Sequence, residues 1–205
     1  MNKKHVVGSS SLALYFALVF SVGTVLASGF STVEPFTQIE IDTNWEADRQ
    51  FPTDGAVSVT AYGRNDVVRI GVDSSETAPG TFQRTEGIKT VSPEDFGTNV
   101  QVELYVDPAW QDNATRAGFW VAGDNGAGSR DGYYGIIEFV NSESCPALDC
   151  SNQGNITDHE GWRIWDSANG WTNVPTAFTY GEWAVLGIEL DTGAQEYSYN
   201  INGTE

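Results

Sequence analysis

Apolar residues return at every second position along much of the chain. Val100, Val102, Leu104 and Val106 alternate with Gln101, Glu103, Tyr105 and Asp107, and Ala184, Leu186, Ile188 and Leu190 are spaced in the same way. A period of two sends successive side chains to opposite faces, so each segment predicts a strand with one buried face. Further segments of strand character are Thr37 to Asp42, Ala56 to Tyr62, Val67 to Val72, Arg116 to Ala122, Tyr133 to Val140, Gly161 to Trp165 and Tyr197 to Ile201. Gly, Asn, Asp and Pro divide them, and no apolar stripe after residue 28 repeats at helical spacing. About ten short strands separated by turns predict an all-β fold, an antiparallel sandwich or barrel.

The first 27 residues are of another kind. Met1-Asn2-Lys3-Lys4-His5 is a basic head, Leu12 to Val25 is an apolar run, and Val25-Leu26-Ala27 ends in small residues suited to cleavage. This is the pattern of a secretory signal peptide. Gly8, the serines at 9 to 11, Ser21 and Gly23 leave the run short of the ~20 apolar residues that span a bilayer. Residues 1–27 are therefore expected to be removed, leaving 28–205 as a single domain that is secreted, periplasmic or at the cell surface, with no membrane insertion after cleavage.

Charge narrows the partners. Ten Lys and Arg stand against 28 Asp and Glu, a formal net charge of -18, and loss of Lys3 and Lys4 with the signal takes it to -20. A field of that sign repels phosphate backbones, which excludes nucleic acid as a partner. Export also bears on the two cysteines. Cys145 and Cys150, five positions apart, read as one small disulfide loop rather than part of a zinc site.

Asn202-Gly203, directly after Tyr197 to Ile201, is the strongest short hairpin signal, because both central residues of that turn need positive φ. A hairpin expects a returning strand. On this ground the sequence reads as a fragment truncated at the C-terminus, with its closing strands beyond residue 205.

The order of landmarks carries a resemblance. Trp45-Glu46-Ala47-Asp48-Arg49-Gln50-Phe51-Pro52 is followed by Thr85-Glu86-Gly87-Ile88-Lys89, Ala117-Gly118-Phe119-Trp120, Ile137-Glu138-Phe139, Arg163-Ile164-Trp165-Asp166, Trp183 and Ile201-Asn202-Gly203. Over residues 36 to 205 this series resembles secreted bacterial proteins with a laminin G-like jelly roll of the concanavalin A-like lectin and glucanase superfamily. The resemblance implies a jelly-roll β-sandwich and a ligand among polysaccharides or glycans, with no catalytic assignment. It accords with a binding or surface-display module; the alternatives are a polysaccharide-degrading enzyme and a structural domain of a larger surface protein.

Three groups of residues are candidates for chemistry. Glu40-Ile41-Asp42-Thr43-Asn44-Trp45-Glu46 resembles the acidic strand of laminarinase-like retaining glycosidases, which makes Glu40, Asp42 and Glu46 the catalytic alternative. Retention requires two carboxyls ~5 to 5.5 Å apart. Six strand steps of ~3.3 Å put Glu40 and Glu46 some 20 Å apart, so an amphipathic strand with Ile39 and Ile41 inward is the competing expectation. Asp124, Asn125 and Asp131 lie in a Gly-rich stretch able to offer oxygen ligands to calcium, the one cofactor the sequence suggests; a solvated acidic loop is the alternative. Trp165, Trp171 and Arg163 are the ligand-binding candidates, since an aromatic face suits the apolar face of a sugar. Alternation places Trp162 and Trp165 on opposite faces of their strand.

Overall fold

A computed structural model of the chain describes residues 13–19, 36–49, 55–73, 86–90, 99–112, 116–122, 134–141, 159–166, 170–191, 193–194 and 196–204. In chain order its elements are β1 (Ala13–Val19), α1 (Gln38–Asn44), β2 (Trp45–Arg49), β3 (Ala56–Ala61), β4 (Arg64–Asp73), β5 (Glu86–Thr90) and β6 (Asn99–Tyr105). A 3-10 turn at Pro108–Trp110 leads to β7 (Arg116–Ala122), β8 (Tyr134–Val140), β9 (Gly161–Asp166), β10 (Gly170–Val174), β11 (Trp183–Asp191) and β12 (Glu196–Ile201). Among the described residues the fold is all-β apart from α1 and the 3-10 turn, and every strand pairing is antiparallel.

Six strands form one sheet in the order β12-β11-β6-β1-β4-β3, four form a second in the order β10-β9-β8-β7, and β2 pairs with β5. The two larger sheets pack through their alternating apolar rows. Val102 and Leu104 of β6, Ala184, Leu186 and Ile188 of β11, and Ile201 of β12 join one buried cluster with Ala117, Phe119, Ile137, Phe139 and Trp162 of the smaller sheet. Each fully buried Leu, Ile or Phe contributes about 1.5–3 kcal/mol over its exposed state, so this shared layer is the principal source of stability. Where β4 extends past the smaller sheet, Val68 and Ile70 pack instead on Phe36 and Ile41, with Trp45 and Ile88 at the margin.

The expected strand at Thr37 to Asp42 is a helix. Thr37 is its N-cap and its side chain accepts a hydrogen bond from the Glu40 amide at 3.2 Å. Two side-chain pairs four residues apart then brace the turns, Gln38 donating to Asp42 at 2.8 Å and Asn44 to Glu40. Ile39 and Ile41 imitate strand alternation, yet positions i and i+2 of a helix lie on different sides. Ile41 is 5% exposed and Ile39 76%. The segments β2, β5 and β10 are not among the expected strands, because each holds at most two apolar residues and so shows no sustained alternating row.

The turn at the far end has the expected geometry. Asn202 and Gly203 adopt φ of 52° and 80°, and Ile201 and Thr204 exchange backbone hydrogen bonds of 2.9 Å in both directions.

The apolar run read as the centre of an export signal supplies β1. It pairs with β4 from Ala13↔Asp73 to Leu18↔Val68, and with β6 at Leu18↔Leu104 and Val19↔Glu103. Both neighbours are antiparallel to β1 and hence parallel to each other. Removal of residues 1–27 would leave them about 9.6 Å apart, twice the ordinary spacing, with no ladder between. A chain beginning at Ser28 should therefore exchange the β4 amides that face β1, between Val68 and Asp73, faster than the whole chain does. Equal protection in hydrogen-exchange mass spectrometry would show that another strand occupies the gap.

Candidate ligand-binding surface

The inward residues of the four-stranded sheet determine which residues face outward. Trp162 and Ile164 of β9, Ile137 and Phe139 of β8, and Ala117 and Phe119 of β7 pack into the core. Their neighbours Arg163 and Trp165, Ile136 and Glu138, and Arg116, Gly118 and Trp120 must then lie on the outer face. Register gathers these into two rows across the strands. One row is Gly118, Glu138, Arg163 and Asn173, and the next is Trp120, Ile136, Trp165 and Trp171.

The first row is held by charge. Arg163 donates from Nε and Nη2 to Glu138 Oε1 at 3.1 and 2.9 Å, and Arg116 donates from Nε to Oε2 and from Nη2 to Oε1, both at 3.3 Å. Arg163 is 1% exposed and Glu138 4%. Burial pulls the Arg163 guanidinium below its usual range, and the adjacent Glu138 carboxylate opposes that pull. Gly118 is required beside them. A Cβ there would sit 2.0 Å from the Ile137 carbonyl oxygen and 2.6 Å from Glu138 Cα, contacts that no side chain can occupy.

The second row is aromatic. The Arg163 guanidinium lies over the Trp171 ring, 4.1 Å from its centroid, and Trp165 meets Trp171 edge to face at 5.3 Å. Trp120 contacts Tyr134 in the same manner at 6.3 Å. Trp165 and Trp171 each keep part of their surface exposed. Arg163 is too deeply buried to touch a ligand, so its part is to brace Trp171 from one side.

The structure thus brings Trp165, Trp171 and Arg163 together, and it adds Glu138, Arg116 and Gly118. Sequence alone carried no signal for these three beyond their parity, because register between strands is a tertiary property. The acidic trio behaves differently. Glu40 and Asp42 sit two apart on α1, where they do not face each other, and each is bonded to a helix side chain four residues away. Glu46 is on β2, opposite Lys89. Asp124, Asn125 and Asp131, as well as Cys145 and Cys150, lie outside the described residues. Among the described residues no three His, Cys, Asp or Glu side chains are grouped to hold a metal ion. His159 Nε2 is 2.9 Å from the Trp162 carbonyl oxygen and donates to it.

Comparison with family models, with curated proteins and with solved structures gave no match. What the surface does has to be read from its own chemistry.

Glu138→Ala should destabilise the protein by about 3–5 kcal/mol in urea unfolding, since it leaves Arg163 buried without its countercharge. Adding Arg163→Met should recover much of that loss. A single variant within ~1 kcal/mol of the wild type would mean that the pair carries no such weight.

Proposed function

We propose that the protein is an exported β-sandwich module that binds polysaccharide on the outer face of its four-stranded sheet. The observation that carries this reading is the Trp171 ring, held on one side by Arg163 and at its edge by Trp165, with part of its surface open to solvent. A sugar ring presents an apolar C–H face that an indole can cover. Immobilising a free side chain on binding costs about 0.5–1.5 kcal/mol, and a ring already braced avoids most of it. The strongly acidic chain favours a neutral polymer over a polyanion. The jelly-roll topology implied by the landmark series accords with this assignment, as does the signal-like pattern of residues 1–27.

The glycosidase alternative finds no such support. Its acid–base pair requires two carboxyls near each other, and the carboxylate on this surface, Glu138, is bound by two arginines. Affinity electrophoresis through gels cast with neutral glucans, mannans or galactans tests the binding reading. At least one polymer should retard the wild type, and Trp171→Ala should weaken that retardation roughly three- to tenfold, the equivalent of ~0.7–1.4 kcal/mol of stacking. Wild-type mobility unaffected by every polymer would overturn the proposal.

A further inference from the structure

The opposite outer face of the sandwich carries an independent feature at the β3–β4 hairpin. Tyr62 and Gly63 form its two-residue turn, with φ of 50° and 77° and Ala61 paired to Arg64. Register then slips by one, so that Asn65 and Asp66 stand opposite Thr60, and Asp66 also takes a positive φ of 54°. Two of the three non-glycine residues with positive φ among the described residues are therefore within five positions. The third, Asn202, provides an internal comparison. Its turn is of the same kind but uses the residue that tolerates the left-handed region, whereas a bulky residue there is strained.

What holds Tyr62 in place is a set of specific contacts. Its ring stacks on Tyr105 with centroids 3.6 Å apart and planes within 13°. Its hydroxyl donates to Asp107 Oδ2 at 3.0 Å, and its carbonyl accepts from Trp183 Nε1 at 3.2 Å. Asp107 is itself fixed, because Oδ1 accepts from the Ala109 amide at 2.8 Å. Arg64 lies over Trp183 at 5.8 Å and is bridged to Glu103 at 3.2 Å. With all these contacts Tyr62 is still 50% exposed, so the cluster does not seal it. Beside it is a cavity of about 240 Å³ lined by Tyr62, Tyr105, Thr60, Arg69 and Asp107 with two small aliphatic side chains.

The lining selects a class of ligand. Pockets for drug-sized molecules run from about 300 to 1,000 Å³, so this one suits a single ring. Arg69 and Asp107 bring opposite charges, which cancel. An anion also meets the net charge of -18, and a cation meets Arg69. What remains is a neutral ring with one apolar face and several hydroxyls. We infer that the Tyr62 cavity is a second binding site, for one neutral hexose unit of a glycan, on the face of the sandwich opposite Trp171. Tyr62, backed by Tyr105 on its other face, covers the apolar side of the sugar, and Asp107 and Arg69 take its hydroxyls. Burial first, and the bond to Asp107 second, push the Tyr62 phenol up to about 12, so it remains a hydrogen-bond donor at any ordinary pH.

The test separates this site from the first surface and a ligand role from a structural one. In Trp171→Ala protein, methyl hexosides of glucose, galactose and mannose are titrated to about 50 mM, enough to fill a millimolar site, while amide shifts are followed by NMR. At least one hexoside should shift the amides of Thr60, Tyr62 and Asp107. Tyr62→Asn in that background should abolish those shifts while leaving the chain folded and the amide spectrum elsewhere unchanged, because Asn accepts the left-handed turn. Asp107→Asn, which keeps the cap on Ala109, should weaken binding severalfold. Absence of shifts with every hexoside, unchanged binding in Tyr62→Asn, or response only to a uronate or a quaternary ammonium would each overturn the inference. Polymer retardation insensitive to Trp171→Ala would sink the first proposal alone, and absence of hexoside shifts at Thr60, Tyr62 and Asp107 would sink this one alone.

Discussion

The fold depends on one constraint, that the apolar rows of two antiparallel sheets exclude water from a common layer. Trp162 shows it most directly. It is fully buried between the sheets against Phe139, and that placement fixes the parity of β9. Once Trp162 faces inward, Arg163 and Trp165 face outward on either side of Ile164. Leu104 does the same for β6, sending Glu103 and Tyr105 to the other outer face. Both candidate surfaces are thus consequences of core packing, even though neither belongs to the core.

The outer faces contain arrangements that would be unfavourable on their own. A buried arginine is costly unless paired, and Arg163 is paired twice over, to Glu138 by hydrogen bonds and to Trp171 through its ring. A tyrosine in the left-handed region is strained, and Tyr62 is kept there by Tyr105, Asp107 and Trp183. In both places the surrounding contacts are more numerous than the local conformation needs. Such over-determination produces aromatic rings of fixed orientation with part of their surface still open, which is what a stacking ligand requires.

Much of the strand framework was legible from alternation, because a half-buried strand must repeat with period two wherever it lies in the sheet. Arg116–Ala122 agrees with its expected bounds residue for residue, and β6, β8, β9, β11 and β12 agree to within one or two at each end. Reading failed where local competition outweighed the pattern. Between Thr37 and Asn44, an N-cap hydroxyl and two side-chain pairs favour a helix over a strand that two isoleucines suggested. The site was partly legible for the same reason. Trp165 and Trp171 are conspicuous as residue types, whereas Glu138, Arg116 and Gly118 acquire meaning only opposite one another.

By itself the sequence determined the all-β class, the strong acidity, the Asn202-Gly203 turn, and which residues of a strand share a face. These follow from period, composition and local backbone preference, which act over a few residues. Tertiary structure alone decided that Gly118, Glu138 and Arg163 form one row, that β1 stands between β4 and β6, and that Tyr62 rests on Tyr105 from 43 positions away. Register and ring stacking between distant segments depend on the shared buried layer, and no local pattern encodes that layer.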